Sequence, residues 1–156
     1  MCLLRAVSKF NPPRSDLRTI YIQYIRSIIE QSCILWHTSI SQENIEDIER
    51  LQKNACRTIL KDSYINYENA LDTLNLDTLE ERRAKLSLKF AKNCQKIIQT
   101  KDLFKHREKT HDMELRNSEH YHVNKSNTQR YQNSAVPYMQ RLLNQDMKER
   151  ETNAPN

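Results

Sequence analysis

Apolar residues recur at steps of three and four from Ser15 to His37: Leu17, Ile20, Tyr21, Tyr24, Ile25, Ile28, Ile29, Cys33, Leu35 and Trp36. That spacing keeps side chains on one face of an α-helix, so the stretch is predicted to be helical throughout. Ser15 is placed to cap its start, with Asp16 at the positive end of the helix dipole. Trp36 ends the apolar face, where a core anchor is expected. A second helix is predicted from Ser41, its N-cap, to about Leu60. Its apolar face is Ile45, Ile48, Leu51, Ala55, Cys56 and Ile59. Its polar face carries Glu43, Glu46 and Asp47 early and Arg50, Lys53, Arg57 and Lys61 late, the order that complements the dipole. Glu46 and Arg50 have the four-residue spacing of a favourable ion pair.

Between Asn66 and Leu74 a short helix is predicted, with Tyr67, Ala70, Leu71 and Leu74 facing inward. A third long helix is predicted from about Thr78 to Gln99. Asp77-Thr78-Leu79-Glu80 has the spacing of a capping box, with Asp77 in the capping role. Leu79, Leu86, Phe90, Cys94 and Ile97 form the apolar stripe of this helix, and Arg82, Lys85, Lys89, Lys92 and Lys96 form a second stripe. At 100° per residue the two stripes lie about 120° apart, so these five cations are expected along one solvent-facing edge. Arg83 falls instead within the apolar stripe. There it must snorkel, pair with a carboxylate or face a partner.

Beyond Lys101 the apolar period stops for more than thirty residues. Only Met113, Leu115, Tyr121, Val123 and Tyr131 interrupt the polar run from His106 to Asn133, which reads as loop or disorder. Pro137 suits the first turn of a helix, and a short amphipathic helix near 137–147 is predicted to dock through Tyr138, Met139, Leu142 and Leu143. The chain thus divides into an N-terminal extension, residues 1–14, a helical region, 15–100, and a polar, partly disordered tail, 101–156. The expected fold is all-α, a small bundle of three main helices.

Composition narrows the chemistry. The 156 residues include no glycine, so the Gly-rich loops that cradle phosphates and dinucleotides are absent. Tight hairpin turns lose their favoured residue as well. Asn or Asp is then expected where a helix ends in the left-handed conformation. The net charge of +5 and pI near 9.0 are a mild basic bias, compatible with nucleic acid. Cys2, Cys33, Cys56 and Cys94 are widely spaced, without a CxxC pair, and read as reduced, buried thiols. The run Met1 to Val7 is too short for a signal peptide, and no segment approaches the 18 apolar residues of a membrane span. A soluble, intracellular protein, nuclear or cytoplasmic, is expected.

No catalytic or metal constellation emerges. His106, His111, His120 and His122 lack the cysteine partners of a structural zinc site and read as solvated loop histidines. The acidic residues occupy polar helix faces, with no adjacent Asp-Asp pair. No metal and no cofactor is expected. The basic stripe is the best candidate for binding, since a row of cations along a helix can track a phosphate backbone.

Several runs together resemble a known family. They are Arg26-Ser27-Ile28-Ile29-Glu30, Trp36-His37, Ile48-Glu49-Arg50-Leu51-Gln52-Lys53-Asn54-Ala55-Cys56-Arg57-Thr58-Ile59-Leu60 and Tyr67-Glu68-Asn69-Ala70-Leu71. Leu76-Asp77-Thr78-Leu79-Glu80-Glu81-Arg82-Arg83 follows, and then Asn133-Ser134-Ala135-Val136-Pro137-Tyr138-Met139-Gln140-Arg141-Leu142-Leu143-Asn144. In order and spacing they resemble the region after the polymerase palm in reverse transcriptases of non-LTR retrotransposons, the jockey-like group and its relatives. One departure is Glu30-Gln31-Ser32, where the family often has Tyr after the acidic residue. The fingers, the palm with its Tyr-x-Asp-Asp motif and the endonuclease have no counterpart here. The resemblance implies a thumb-like helical region and tail, a C-terminal fragment without catalytic residues. In the parent polymerases the thumb closes over the template–primer duplex. Arg82 and Arg83 match the family's paired arginines, whereas Lys85, Lys89, Lys92 and Lys96 are added from helical geometry. The expected role is sequence-independent contact with RNA–DNA or duplex backbone, without enzyme activity. Two alternatives stand beside it. One is a helical protein–protein interaction module that self-associates through apolar surface including Trp36 and Leu142-Leu143. The other is a pseudogene or partial gene product with no selected function.

Overall fold

The computed structural model describes residues 2–106, 120–123 and 127–152. His111, Met113 and Leu115 lie outside them. Among the described residues the structure is helical, with an isolated antiparallel bridge between His106 and Tyr121 and no strand. The all-α expectation holds. The chain forms two compact units: residues up to 33 with 40–84, and residues 34–39 with those from 85 onward.

In the first unit, α1 (Cys2–Ser8), α2 (Arg14–Ile20), α5 (Gln42–Leu60) and α6 (Tyr67–Leu74) surround one core, and the single turn α3 (Ser27–Ile29) buries no side chain. Leu17, Tyr21, Ala55, Cys56, Ile59, Leu60, Ala70 and Leu74 fill it, and Leu4 of α1 is fully buried among them. The N-terminal extension of the sequence reading is therefore part of this core. The four-residue helix α4 (Cys33–Trp36) follows α3 in the chain.

The predicted helix from Ser15 to His37 is not continuous. It begins at Arg14, where the Pro13 carbonyl accepts from the N–H groups of Asp16 and Leu17. Ser15 makes no cap; its hydroxyl donates to the Asp16 carboxylate. From Tyr21 to Arg26 the backbone widens into a π-helical segment. The chain then breaks after α3, with Ser32 at φ 52°. A π-segment holds more residues per turn, so the phase of the apolar period slips. Tyr24 and Ile28, both on the predicted inner face, end 58% and 72% exposed.

Helices α5 and α6 follow the sequence closely. The Ser41 hydroxyl accepts from the Asn44 N–H at 3.3 Å, and the Asn66 side chain accepts from the Asn69 N–H at 2.7 Å. Arg50 pairs with Asp47 at 2.9 Å instead of Glu46; both spacings bring side chains together on a helix. Asn75 ends α6 in the left-handed conformation, φ 48° and ψ 60°, the substitution for glycine that the composition predicts. Lys61, at φ 49° and ψ −122°, ends α5 at a backbone angle unfavourable to a residue with a Cβ. Its ammonium is anchored to the Ser8 carbonyl at 3.1 Å and to Asn11 Oδ1 at 2.6 Å.

The cap of helix α7 (Leu79–Cys94) falls one residue later than predicted. Thr78, not Asp77, caps it: Thr78 Oγ1 accepts from the Glu81 N–H at 3.2 Å, and Glu81 Oε2 accepts from the Thr78 N–H at 3.3 Å. This is a reciprocal capping box. The helix closes at Cys94, short of Gln99. There the Thr100 hydroxyl donates to the Cys94 carbonyl at 2.7 Å, and the N–H groups of Lys96 and Ile97 make three-residue turns.

The second unit has its own core of Ala91, Cys94, Phe104, Tyr121, Met139 and Leu143, with Ile34, Leu88, Val136 and Met147 packed on it. A 3-10 turn at Lys101–Phe104, α8 (Gln129–Gln132) and α9 (Ala135–Thr152) supply the rest. The predicted short helix is thus 18 residues long. Its later residues, Lys148 to Thr152, are polar, and the apolar period could not mark them. His120 and Tyr121, read as loop, are buried. Leu143 belongs to the core, while Leu142 and Trp36 are half-buried, so these three do not make the open apolar surface expected of an interaction module. Among the described residues no helix is long and apolar enough to cross a membrane.

Candidate nucleic-acid interface

The surface character of α7 follows from which side it buries. Leu79, Arg83, Ser87, Ala91 and Cys94 are buried, at steps of four, four, four and three. This line is rotated from the predicted apolar stripe: Leu86 is half-buried and Phe90 is 43% exposed. Small side chains at Ser87 and Ala91 share this line with the larger Leu79 and Arg83. The centre of the basic stripe lies roughly 160° from the buried line at 100° per residue.

The candidate cations fall into three classes. Arg83 is fully buried and does not share the solvent-facing edge. Arg82 and Lys92 are half-buried in ion pairs. Arg82 donates through Nε to Glu30, and Lys92 meets Asp146 at 2.7 Å, where Arg150 binds the other carboxylate oxygen at 2.9 Å. Lys85, Lys89 and Lys96 are exposed. Lys96 stands beyond the end of α7, so Lys85 and Lys89, one turn apart, are the exposed cations of the helix itself. On α5, by contrast, Lys53 lies 5.1 Å from the centre of the Tyr67 ring and Arg57 5.4 Å from that of Tyr64, so these cations cover aromatic faces.

Glu30 carries a second guanidinium. Arg26 Nε lies 3.7 Å from the carboxylate oxygen that Arg82 binds. Burial lowers the Arg26 pKa, Arg82 lowers it further, and Glu30 opposes both. Arg18 donates to the carbonyls of Leu74 and Asn75 at the end of α6. These arginines tie the helices of the first unit together, and the apolar period of that region gave no sign of them.

A polar network crosses the same unit. Gln52, fully buried, accepts from the Tyr21 hydroxyl at 2.6 Å and donates to the Tyr67 hydroxyl and the Asp77 carbonyl, both at 2.9 Å. Tyr67 donates in turn to Glu49, whose carboxylate accepts the Leu79 N–H at 3.1 Å. Burial is the largest cause of the raised pKa of both Tyr21 and Tyr67; the bond to Glu49 adds to the rise at Tyr67. The network positions the start of α7 through the bond from the Leu79 N–H to Glu49.

No group of three or more His, Cys, Asp or Glu side chains is arranged to hold a metal among the described residues. Cys33, Cys56 and Cys94 are buried thiols as expected, whereas Cys2 is exposed. Burial pushes the Cys56 thiol up to about 11, away from the thiolate a nucleophile needs. Comparison with known protein families, curated proteins and solved structures yields no match.

Proposed function

We propose that the chain is a thumb-like, non-catalytic relative of the post-palm region of non-LTR retrotransposon reverse transcriptases, and that it holds duplex or RNA–DNA backbone through α7. The observation that carries this reading is the pair Lys85 and Lys89, exposed one turn apart on the side of the helix away from its buried line. A pair of cations at that spacing can meet neighbouring phosphates without reading bases. The runs quoted from Arg26 to Asn144 and the net charge of +5 support it. Arg82 and Lys92 act on the fold through their carboxylate partners, and Lys96 adds charge at the end of the helix.

Fluorescence anisotropy with labelled RNA–DNA and DNA duplexes of unrelated sequence tests the proposal. Binding at low salt should be similar for each duplex, and Lys85→Glu with Lys89→Glu should weaken it by about tenfold or more. Unchanged affinity in the double variant would sink the reading.

The second reading, a self-associating helical module, draws on Tyr24 and Ile28, exposed four residues apart. Light scattering across a concentration series decides it. A monodisperse monomer at all concentrations argues against it; a mass that rises in the parent and not in Ile28→Asp supports it.

A further inference from the structure

The second unit contains a cavity of about 330 Å3 that the α7 reading does not use. Its volume falls in the range of small-ligand sites. Its walls are held by backbone and amide clamps. The His122 N–H donates to the Lys105 carbonyl at 2.9 Å beside the His106–Tyr121 bridge. The Asn144 side chain accepts from the Tyr121 N–H at 2.7 Å and donates to the Tyr121 carbonyl at 3.1 Å, and Gln140 donates to the Leu103 carbonyl at 2.8 Å. Phe104 and Tyr121, both buried, form its apolar floor.

Two chemistries meet on this frame. The exposed His106 ring lies over Tyr121, with centroids 4.3 Å apart and planes inclined by 31°, and offers a flat aromatic face at the cavity. Lys101 and Lys105 bring two exposed ammonium groups; against them stands Asp102, whose 3.9 Å pairing with Lys105 is open to solvent. Such an exposed pair is weak, so the mouth keeps a positive surplus. Gln95 also lines the cavity, with its amide nitrogen Nε2 buried in the wall. It lies close enough to the Tyr121 hydroxyl to offset part of the burial that raises that group's pKa, so its side-chain signal reports on the cavity wall.

We propose that this cavity is a nucleotide site: the base stacks on His106 and the phosphate is held by Lys101 and Lys105. An aromatic face beside paired cations is the complement of a base joined to a phosphate. A free mononucleotide and one residue of a single strand share that chemistry. The site uses none of the residues of the α7 surface.

Titration of the full, 15N-labelled chain with AMP, adenosine and inorganic phosphate, followed by NMR, tests it. AMP should shift the Gln95 side-chain amide and bind about tenfold more tightly than adenosine or phosphate alone. His106→Ala should weaken AMP binding by about tenfold, and Lys101→Gln with Lys105→Gln should remove the advantage of AMP over adenosine. All three positions are exposed, so the fold should tolerate these changes. Lys89→Glu should leave AMP binding unchanged, which separates this site from the α7 surface. A single-stranded adenine decamer binding more tightly than AMP identifies the strand as the source, and equal or weaker binding identifies the mononucleotide. AMP binding no better than either of its halves, or a Gln95 signal that stays in place, overturns the proposal.

Discussion

Gln52 shows how much of the first unit depends on one polar side chain. Its amide holds the Tyr21 and Tyr67 hydroxyls and the Asp77 carbonyl at full burial, so replacing it leaves partners unsatisfied. Gln52→Leu should cost about 2–3 kcal/mol, measured by urea unfolding; a loss below about 0.5 kcal/mol would show that the network carries no stability. The same residues set the alkaline limit. Below pH 9 the Tyr21 and Tyr67 hydroxyls and the Cys56 thiol are protonated whether the chain is folded or not. Above their ordinary values, 9.0 for the thiol and 10.0 for the phenols, the unfolded chain ionises while the folded one retains its protons. Folded groups with raised pKa values therefore lose stability as pH rises. Unfolding free energy should fall between pH 9 and 11, less steeply in Tyr67→Phe; a flat profile to pH 11 would contradict the burial of these groups. The helical period places Arg83 in the apolar stripe of α7 and Gln52 among Ile48, Ala55 and Cys56 on the apolar face of α5; what it cannot supply is their partners, which for Gln52 include groups on segments distant in sequence.

At the scale of the element, local signals were informative where the determinant is local. Ser41, Asn66 and Asn75 cap their helices as their side chains predict, and the capping pattern near α7 was right in kind but displaced by one residue to Thr78. Thr78→Ala should lower stability by about 1 kcal/mol, read from the shift in urea midpoint. The first helix was misread because a period in composition records which residues are apolar, not whether the backbone keeps a single register through the π-segment Tyr21–Arg26. Ion pairs likewise differ by setting. Glu30, nearly buried between Arg26 and Arg82, leaves two guanidinium groups uncompensated when neutralised. Glu30→Gln should therefore cost about 2 kcal/mol, whereas Asp47→Asn, in an exposed pair with Arg50, should cost under about 0.5 kcal/mol. Equal losses in the two variants would mean that burial does not govern these pairs.

For the whole molecule, a helical fold without glycine was readable from the sequence; its division into two units and its second core were not. That core draws on Ile34, Phe104, Tyr121 and Leu143, residues far apart in sequence, and the period within each predicted helix does not say which helix packs with which. The basic edge of α7 survived in reduced form. Five cations on one helix became two exposed lysines, because Arg82 and Lys92 meet carboxylates supplied by other segments and Lys96 follows the helix end. The proposed function therefore rests on Lys85 and Lys89. The salt dependence of duplex affinity, measured by anisotropy between 50 and 200 mM salt, tests it most directly. Two phosphate contacts predict a slope of log affinity against log salt of roughly −1.8, approaching zero in Lys85→Glu with Lys89→Glu; the same slope in both proteins would contradict the account.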